Sequence, residues 1–181
     1  MAEEQNIENK FPSEVIDLPS EGKLYPKESP LSNGKLELKY MTAREEDILT
    51  SENLIKKGVA LDKALNAMIV TKGVSCDDLI MGDKNAVMMG TRILGYGSNY
   101  NVVVNDPETS EEVELQVDLT TLEPKELDEK ILEKGENKFE FELPNSKRKV
   151  EFKLLNGHDE KKIEEALKEL EKVEQLTGVS S

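Results

Sequence analysis

The sequence contains one histidine, His158, and one cysteine, Cys76, the two residue types that most often act as nucleophiles, proton carriers or zinc ligands. No second histidine exists to complete a metal site or a proton relay. Cys76 precedes Asp77 and Asp78, whose negative charge raises a thiol pKa and disfavours a nucleophilic thiolate. A single cysteine also excludes an intramolecular disulfide and a multi-cysteine zinc site. We predict structural roles for both residues, with Cys76 as a small buried side chain.

A glycine-rich turn at residues 95–97 has the composition of a phosphate-binding loop. It follows a predicted helix and precedes a predicted strand. A phosphate-binding loop needs the opposite order, in which a strand leads through glycines into a helix whose amides face the anion. The sequence therefore predicts no nucleotide binding at this turn.

Three consecutive acids, Glu45, Glu46 and Asp47, have the residue types of a metal site. They also lie at a predicted helix start, where the helix dipole favours acids and where Thr42 and Glu45 have the spacing of a capping box. Capping explains them better than metal binding does. With no nucleophile–base set either, the sequence predicts a protein that is not an enzyme and needs no cofactor.

The composition is acidic, with 24 Lys and Arg against 38 Asp and Glu among 181 residues and a net charge of −14. Such a charge repels nucleic acid and anionic lipid at long range. The longest apolar runs are too short to span a membrane, and the acidic N-terminus resembles neither a signal peptide nor a transit peptide. We therefore expect a cytoplasmic protein whose partners are basic or are met through apolar contact.

The elements that must position these residues divide the chain into four predicted regions, 1–41, 42–96, 97–157 and 158–181. The first holds four prolines within 35 residues, which excludes a helix and favours an extended arm that ends in a short strand at 36–40. The sequence of the second region predicts three helices, the last of which starts at Asp83. Its predicted apolar faces are Leu61, Ala64, Leu65, Met68 and Ile69, and then Ala86, Met89, Gly90, Ile93 and Leu94.

The second half of the chain alternates apolar and polar residues, as half-buried strands do. The pattern predicts hairpins from 99–105 with 112–119 and from 138–143 with 149–155, a short helix at 126–134 between them, and a terminal helix at 159–176. The predicted fold class is therefore α+β, with a helical half, antiparallel hairpins, an extended N-terminal arm and a C-terminal helix.

Residues 14–156 carry a resemblance to a known family, most specifically in the first part of this range. The residues concerned are Ile16 to Ser20, Gly22, Leu24 to Pro26, Pro30, Leu31, Gly34, Tyr40 to Leu49 and Asn53 to Gly58. The sequence resembles the base-plate hub proteins of T-even-type bacteriophages, a family similar to tail assembly chaperones of contractile tails. The resemblance implies non-catalytic assembly of the hub or central tail, in the host cytoplasm or in the virion base plate.

We predict that the chain binds phage tail or base-plate hub proteins, as a chaperone or as a hub component. The predicted partner contacts are the arm residues Leu18, Leu24, Tyr25 and Leu31 and the charged helix start Glu45, Glu46 and Asp47. The charge leaves an alternative open, an acidic inhibitor that imitates DNA and binds a basic protein. Lysines interspersed among the acids are less typical of such mimics.

Overall fold

The computed structural model describes residues 11–123 and 136–177 of the chain. These residues form an α+β fold with three separate two-stranded antiparallel sheets, which confirms the predicted fold class. The helices are α1 (Ala43–Thr50), α2 (Glu52–Lys56), α3 (Ala60–Met68), α4 (Met81–Tyr96) and α5 (Gly157–Thr177). The strands are β1 (Ser13–Asp17), β2 (Lys35–Lys39), β3 (Asn99–Asn105), β4 (Glu112–Asp118), β5 (Phe139–Glu142) and β6 (Lys149–Phe152). The predicted helix at 126–134 lies outside the described residues.

The proline-rich arm begins as strand β1, which pairs antiparallel with β2. The chain between these strands contains a short 3₁₀ helix, Pro30–Asn33, started by Ser29, whose hydroxyl accepts a hydrogen bond from the Leu31 amide. After α3, Val70 continues the sheet, because its amide donates to the Glu37 carbonyl at 2.9 Å. The arm is therefore extended over β1 only, and it continues through turns and this 3₁₀ helix into β2, with which β1 forms a two-stranded sheet.

Two glycines allow two turns of the arm to pack closely against each other. Gly22 and Gly34 have φ angles of +77° and +71°, which side-chain-bearing residues rarely adopt. A Cβ at Gly22 would lie 2.4 Å from the Ser32 carbonyl oxygen, and one at Gly34 would lie 2.6 Å from the Glu21 carbonyl carbon. Both positions consequently require glycine for backbone conformation and for space.

The core is formed by the arm, β2, α3 and α4. Its largest fully buried aliphatic side chains are Leu31, Leu36, Leu38, Leu65, Met68, Leu79 and Val87. Leu18, Leu24, Tyr25 and Leu31 are 2%, 5%, 7% and 1% exposed and belong to this core. The sequence predicted these four side chains as contacts to a partner. In this fold they pack inside the chain itself, because the arm folds back over β2 and α4.

A buried carboxylate fastens the arm to the start of α4. Asp83 is fully buried and accepts hydrogen bonds from the Ser20 amide at 3.0 Å, the Ser20 hydroxyl at 2.6 Å and the Tyr25 hydroxyl at 2.6 Å. Tyr25 in turn accepts a hydrogen bond from the Ile80 amide at 3.1 Å. Burial and the Asp83 carboxylate together raise the pKa of Tyr25 well above its usual value. This polar network joins residues separated by about 60 positions in the chain.

The helical region contains four helices where the sequence predicted three, because the first predicted helix is divided into α1 and α2 at Ser51, whose backbone is extended. The Thr42–Glu45 capping box is present, and α3 buries Ala60, Ala64, Leu65 and Met68, while Leu61 of the predicted face is 46% exposed. Helix α4 begins at Met81, two residues before the predicted start. It buries Asp83, Val87 and Thr91, so its inward face is rotated from the predicted one. The predicted face did not include Asp83, whose burial is possible because the arm supplies hydrogen-bond donors to its carboxylate.

Both predicted hairpins form, and each pairs only with itself among the described strands. In the first hairpin Val102 lies opposite Leu115 and Val104 opposite Val113. In the second hairpin Phe139 lies opposite Phe152 and Phe141 opposite Val150. No helix among the described residues is long and apolar enough to cross a membrane.

Candidate partner-binding surfaces

Cys76 lies at the start of a short 3₁₀ helix, Cys76–Asp78, and is fully buried, as the sequence predicted. Its amide donates to the Asn66 side-chain oxygen at 2.8 Å, and Asn66 Nδ2 lies 3.2 Å from its sulfur. Burial, with the nearby carboxylates of Asp62 and Asp77, raises the pKa of the thiol to about 11. The protonated thiol suits packing and not nucleophilic chemistry.

Cys76 should therefore react very slowly with thiol reagents in the folded protein. A pKa of about 11 in place of 9.0 lowers the thiolate fraction about 100-fold, and burial slows access further. Alkylation at pH 8, followed by mass spectrometry, should show little modification until denaturant is added. Rapid labelling of the native chain would contradict the buried position.

Three possible metal ligands, Asp62, Cys76 and Asp77, lie within 4.8 Å of one another. The carboxylates already have cationic partners, since Lys84 Nζ lies 2.9 Å from Asp62 Oδ1 and Lys161 forms an ion pair with Asp77. These two ammonium groups balance the negative charge of the two carboxylates. We therefore assign this cluster to folding and assign no metal to it.

His158 lies at the start of α5, where its Nε2 is 2.9 Å from Asp78 Oδ1. Burial opposes ionisation of Asp78, but hydrogen bonds from Ser75 and His158 outweigh it and lower the carboxyl pKa. Further along the first turn, Asp159 pairs with Lys153 at 2.7 Å. Gly157 packs so closely on Asp77 that a Cβ there would lie 2.8 Å from the Asp77 Cα. These contacts fix the first turn of α5 to the body, the structural role that the sequence predicted for His158.

The predicted charged helix start divides into one buried and two exposed side chains. Glu45 is fully buried and accepts hydrogen bonds from Lys39 Nζ at 2.8 Å and the Thr42 amide at 3.0 Å. Burial alone would raise its pKa, but Lys39 and Thr42 outweigh burial and lower the pKa to about 2. Glu46 and Asp47 are exposed. Of the three acids predicted as partner contacts, Glu46 and Asp47 therefore have side chains that are open to solvent.

Replacing Glu45 with Gln should reduce the free energy of unfolding at pH 7 and flatten its pH dependence. The pKa falls from 4.5 to about 2 on folding, so the ionised carboxylate stabilises the fold above pH 4.5. This stabilisation, about 3 kcal/mol from the size of the shift, is lost as the pH falls toward 2. Urea denaturation at pH 7, 5, 4 and 3 measures it. The exposed neighbour Glu46→Gln is the matched control and should change the stability little.

A cleft of about 410 Å³ opens between the arm and the segment that leads into α5. Its lining includes the buried side chains of Leu24, Tyr25 and Leu31 and the charged residues Asp78 and Lys153. These two charged residues are already paired, with His158 and Asp159 respectively. Asp78 and Lys153 therefore offer no unpaired charge to a charged ligand in the cleft.

The first hairpin presents one apolar face and one polar face. Its pairing places six apolar side chains on a single face, namely Tyr100, Val102, Val104, Val113, Leu115 and Val117. Four of them remain between 39% and 47% exposed, namely Tyr100, Val104, Val113 and Leu115. Residues such as Asn101, Glu114 and Gln116 occupy the other face. A hairpin with this alternation normally packs its apolar face on a core, yet the described chain leaves this face uncovered.

The second hairpin repeats this arrangement. Phe139, Phe141, Val150 and Phe152 share one face, and the rings of Phe139 and Phe152 stack with centroids 5.4 Å apart. Phe139 packs partly on the core, whereas Phe141 and Phe152 are 53% and 51% exposed. Isolated two-stranded hairpins are marginally stable in water. The alternation of apolar and polar residues predicted the strands and an apolar face on each hairpin. It could not predict that the described residues leave this face uncovered, because alternation does not indicate what packs against a face.

Comparison with known protein families gives a match over most of the chain. The family model described as T4 bacteriophage base plate protein matches residues 12–180. The match includes the core, both hairpins and the last helix. No curated protein and no solved structure matches the chain.

Proposed function

Since the chain belongs to the family of T4 bacteriophage base plate proteins, we propose that it acts in assembly of the base-plate hub by binding other tail proteins without catalysing a covalent reaction. The observation that carries this proposal is the apolar face of each hairpin, which none of the residues in 11–123 and 136–177 covers. Apolar surface of this kind marks a site of protein association.

The division of the chain supports a binding role. The arm, β2, α3 and α4 supply most of the core, which gives the chain a folded body of its own. The hairpins and α5 supply most of the exposed large apolar side chains. We propose that the body positions these elements and that base-plate proteins cover them.

The strand edges offer a second mode of contact. Among the described strands, β3 pairs only with β4 and β5 only with β6, so the outer edge of each strand has unpaired backbone groups. An extended segment of a partner can add a strand to such an edge through main-chain hydrogen bonds. Strand addition would align the partner while the apolar face supplies the buried area.

Two of the residues that the sequence predicted as partner contacts are included in this proposal. Glu46 and Asp47 are exposed at the start of α1 and remain proposed contacts. The buried arm residues support binding by folding the body. We do not extend the proposal to an acidic inhibitor, because acids such as Asp62, Asp77 and Asp159 pair with lysines and do not contribute to one broad unpaired acidic face.

Replacing Leu115 with Asp should abolish capture of base-plate proteins from infected cells while leaving the body folded. The change puts a charge in the centre of the apolar face of the first hairpin, where an interface would have to bury it. The matched control is Gln116→Asp, one residue away on the polar face, which should retain capture. Equal capture by both variants would exclude this face as the contact.

A tagged copy expressed during infection distinguishes a chaperone from a hub component. Affinity capture followed by mass spectrometry should recover base-plate or tail proteins. Mass spectrometry of purified virions then shows whether the chain remains in the particle. Capture with absence from virions indicates a chaperone, and presence in virions indicates a hub component. Absence of tail proteins from the capture, with no signal in virions, would refute the proposed function.

A further inference from the structure

Helix α5 leaves the body after its first turn. Every side chain from Lys161 to Val173 is exposed, although the first turn is held by His158, Asp159 and Lys161. A helix of 21 residues is about 30 Å long, so several turns stand free of the described body. The helix therefore presents a long surface in a fixed direction.

The free part of α5 carries an apolar stripe. Ile163, Leu167, Leu170 and Val173 are between 46% and 59% exposed. Their spacing of three and four residues places them on one face, with Ala166 between them. A surface helix normally buries such a stripe, and none of the described residues covers this one.

Charges are distributed unevenly around the stripe. With about 100° per residue, Glu160, Glu164 and Glu171 fall about 20–60° beyond Leu167 and form an acidic row along one edge. Lys161, Lys168 and Lys172 fall on the opposite side of the helix from the stripe, although Lys168 reaches back to Glu164 in an exposed ion pair of 2.8 Å, which leaves Glu160 and Glu171 as the other acids of the row. The other edge is mixed, with Lys162 and Glu169. The stripe consequently has one edge of a single sign.

We infer that the stripe of α5 binds an amphipathic helix of another base-plate protein, whose own apolar stripe is edged by Lys or Arg that face the acidic row. This inference rests on the proposed function and names the kind of partner that it requires. The apolar residues supply buried area, and the acidic row selects the partner and its orientation.

A second copy of the chain fits less well. An antiparallel pair of α5 helices would bring the acidic row of one copy against that of the other, since equivalent edges meet in such a pair. The net charge of −14 adds repulsion between copies. A partner helix edged by Lys or Arg avoids both the repulsion between acidic rows and the repulsion between two acidic chains.

The test uses the full chain and two synthetic helical peptides with the same Leu and Ile stripe, one edged by Lys and the other by Glu. Fluorescence anisotropy should show the Lys-edged peptide binding about ten-fold or more tightly, with the difference shrinking as salt rises. Glu164→Gln with Glu171→Gln should reduce that preference. Equal binding of the two peptides would overturn the inference.

Paired variants locate the contact. Leu167→Gln with Leu170→Gln should abolish peptide binding, whereas the matched pair Lys168→Gln with Lys172→Gln, on the opposite side, should retain it. Retained binding by the leucine variant would overturn the inference. Sedimentation that shows a dimer of the free chain, lost in the leucine variant, would assign the stripe to a second copy instead.

The outcomes separate this inference from the proposed function. If the unaltered chain captures base-plate proteins, and the leucine variant captures them equally well, the proposed function stands and the α5 inference fails. If the unaltered chain captures no base-plate protein, the proposed function itself fails, and the inference fails with it.

Discussion

Deletion of residues 1–34 should prevent the body of the protein from folding. The deletion removes β1 and four core side chains, Leu18, Leu24, Tyr25 and Leu31. Loss of a single buried Leu side chain typically costs about 2–5 kcal/mol, and small domains are stable by only about 5–15 kcal/mol in total. The summed loss exceeds what the remaining contacts can supply.

Circular dichroism and thermal denaturation of the purified variant measure this effect. We expect reduced helical signal, no cooperative transition and rapid proteolysis within residues 35–96. Asp47→Ala in the full chain is the control, since it changes an exposed acid outside the arm, and it should unfold like the unaltered chain. A cooperative transition with near-native helical signal in the longer deletion would show that the arm is an appendage and not part of the core.

Replacing Asp83 with Ala should destabilise the protein by about 3–5 kcal/mol. The carboxylate accepts three hydrogen bonds from the arm, two from Ser20 and one from Tyr25. Its removal leaves these donors without their acceptor in a buried site and opens a cavity. It also removes a negative charge from the first turn of α4, where the helix dipole favours it.

Urea denaturation of matched variants separates these contributions. Asp83→Asn keeps the volume and one acceptor, so its loss should be smaller than that of Asp83→Ala. Tyr25→Phe removes one donor to Asp83 and the acceptor for the Ile80 amide, and its effect should couple with that of Asp83→Ala in a double-mutant cycle. Asp47→Ala, at an exposed acid, is the control and should cost less than about 0.5 kcal/mol. An Asp83→Ala variant as stable as this control would contradict the role of the network.

The elements of the fold follow from local patterns. Prolines excluded a helix in the arm, the Thr42–Glu45 spacing marked the start of α1, and alternation marked all four hairpin strands. Each of these signals is formed by residues only a few positions apart in the sequence, so it can be recognised without knowledge of the fold. The boundaries of β2 and α4 differ from the predicted ones by one and two residues.

Long-range packing accounts for what the sequence did not predict. The apolar residues between the prolines indicated that the arm is buried somewhere, but not whether it packs on this chain or on another. The burial of Asp83 depends on donors about 60 residues earlier, and no local pattern contains them. Helix α4 shows the consequence, because burying Asp83 turns its inward face toward Val87 and Thr91.

Gly90 gives a second example of packing that the sequence does not predict. This residue belongs to the predicted apolar face of α4, and it lies against the sheet of β1 and β2. A Cβ at this position would lie 3.3 Å from Ile16 Cγ2 and 3.5 Å from Leu38 Cδ1. The pattern placed Gly90 on an apolar face but did not indicate which element packs against it.

Hydrogen exchange, compared between the free chain and the chain in a base-plate complex isolated from infected cells, tests the central claim most directly. We predict slower amide exchange in the complex within β3, β4, β5, β6 and the free turns of α5. The amides of β2 and α3, which already lie in the core, should exchange at unchanged rates. Protection confined to the helical body, with the hairpins and α5 exchanging as in the free chain, would contradict the account.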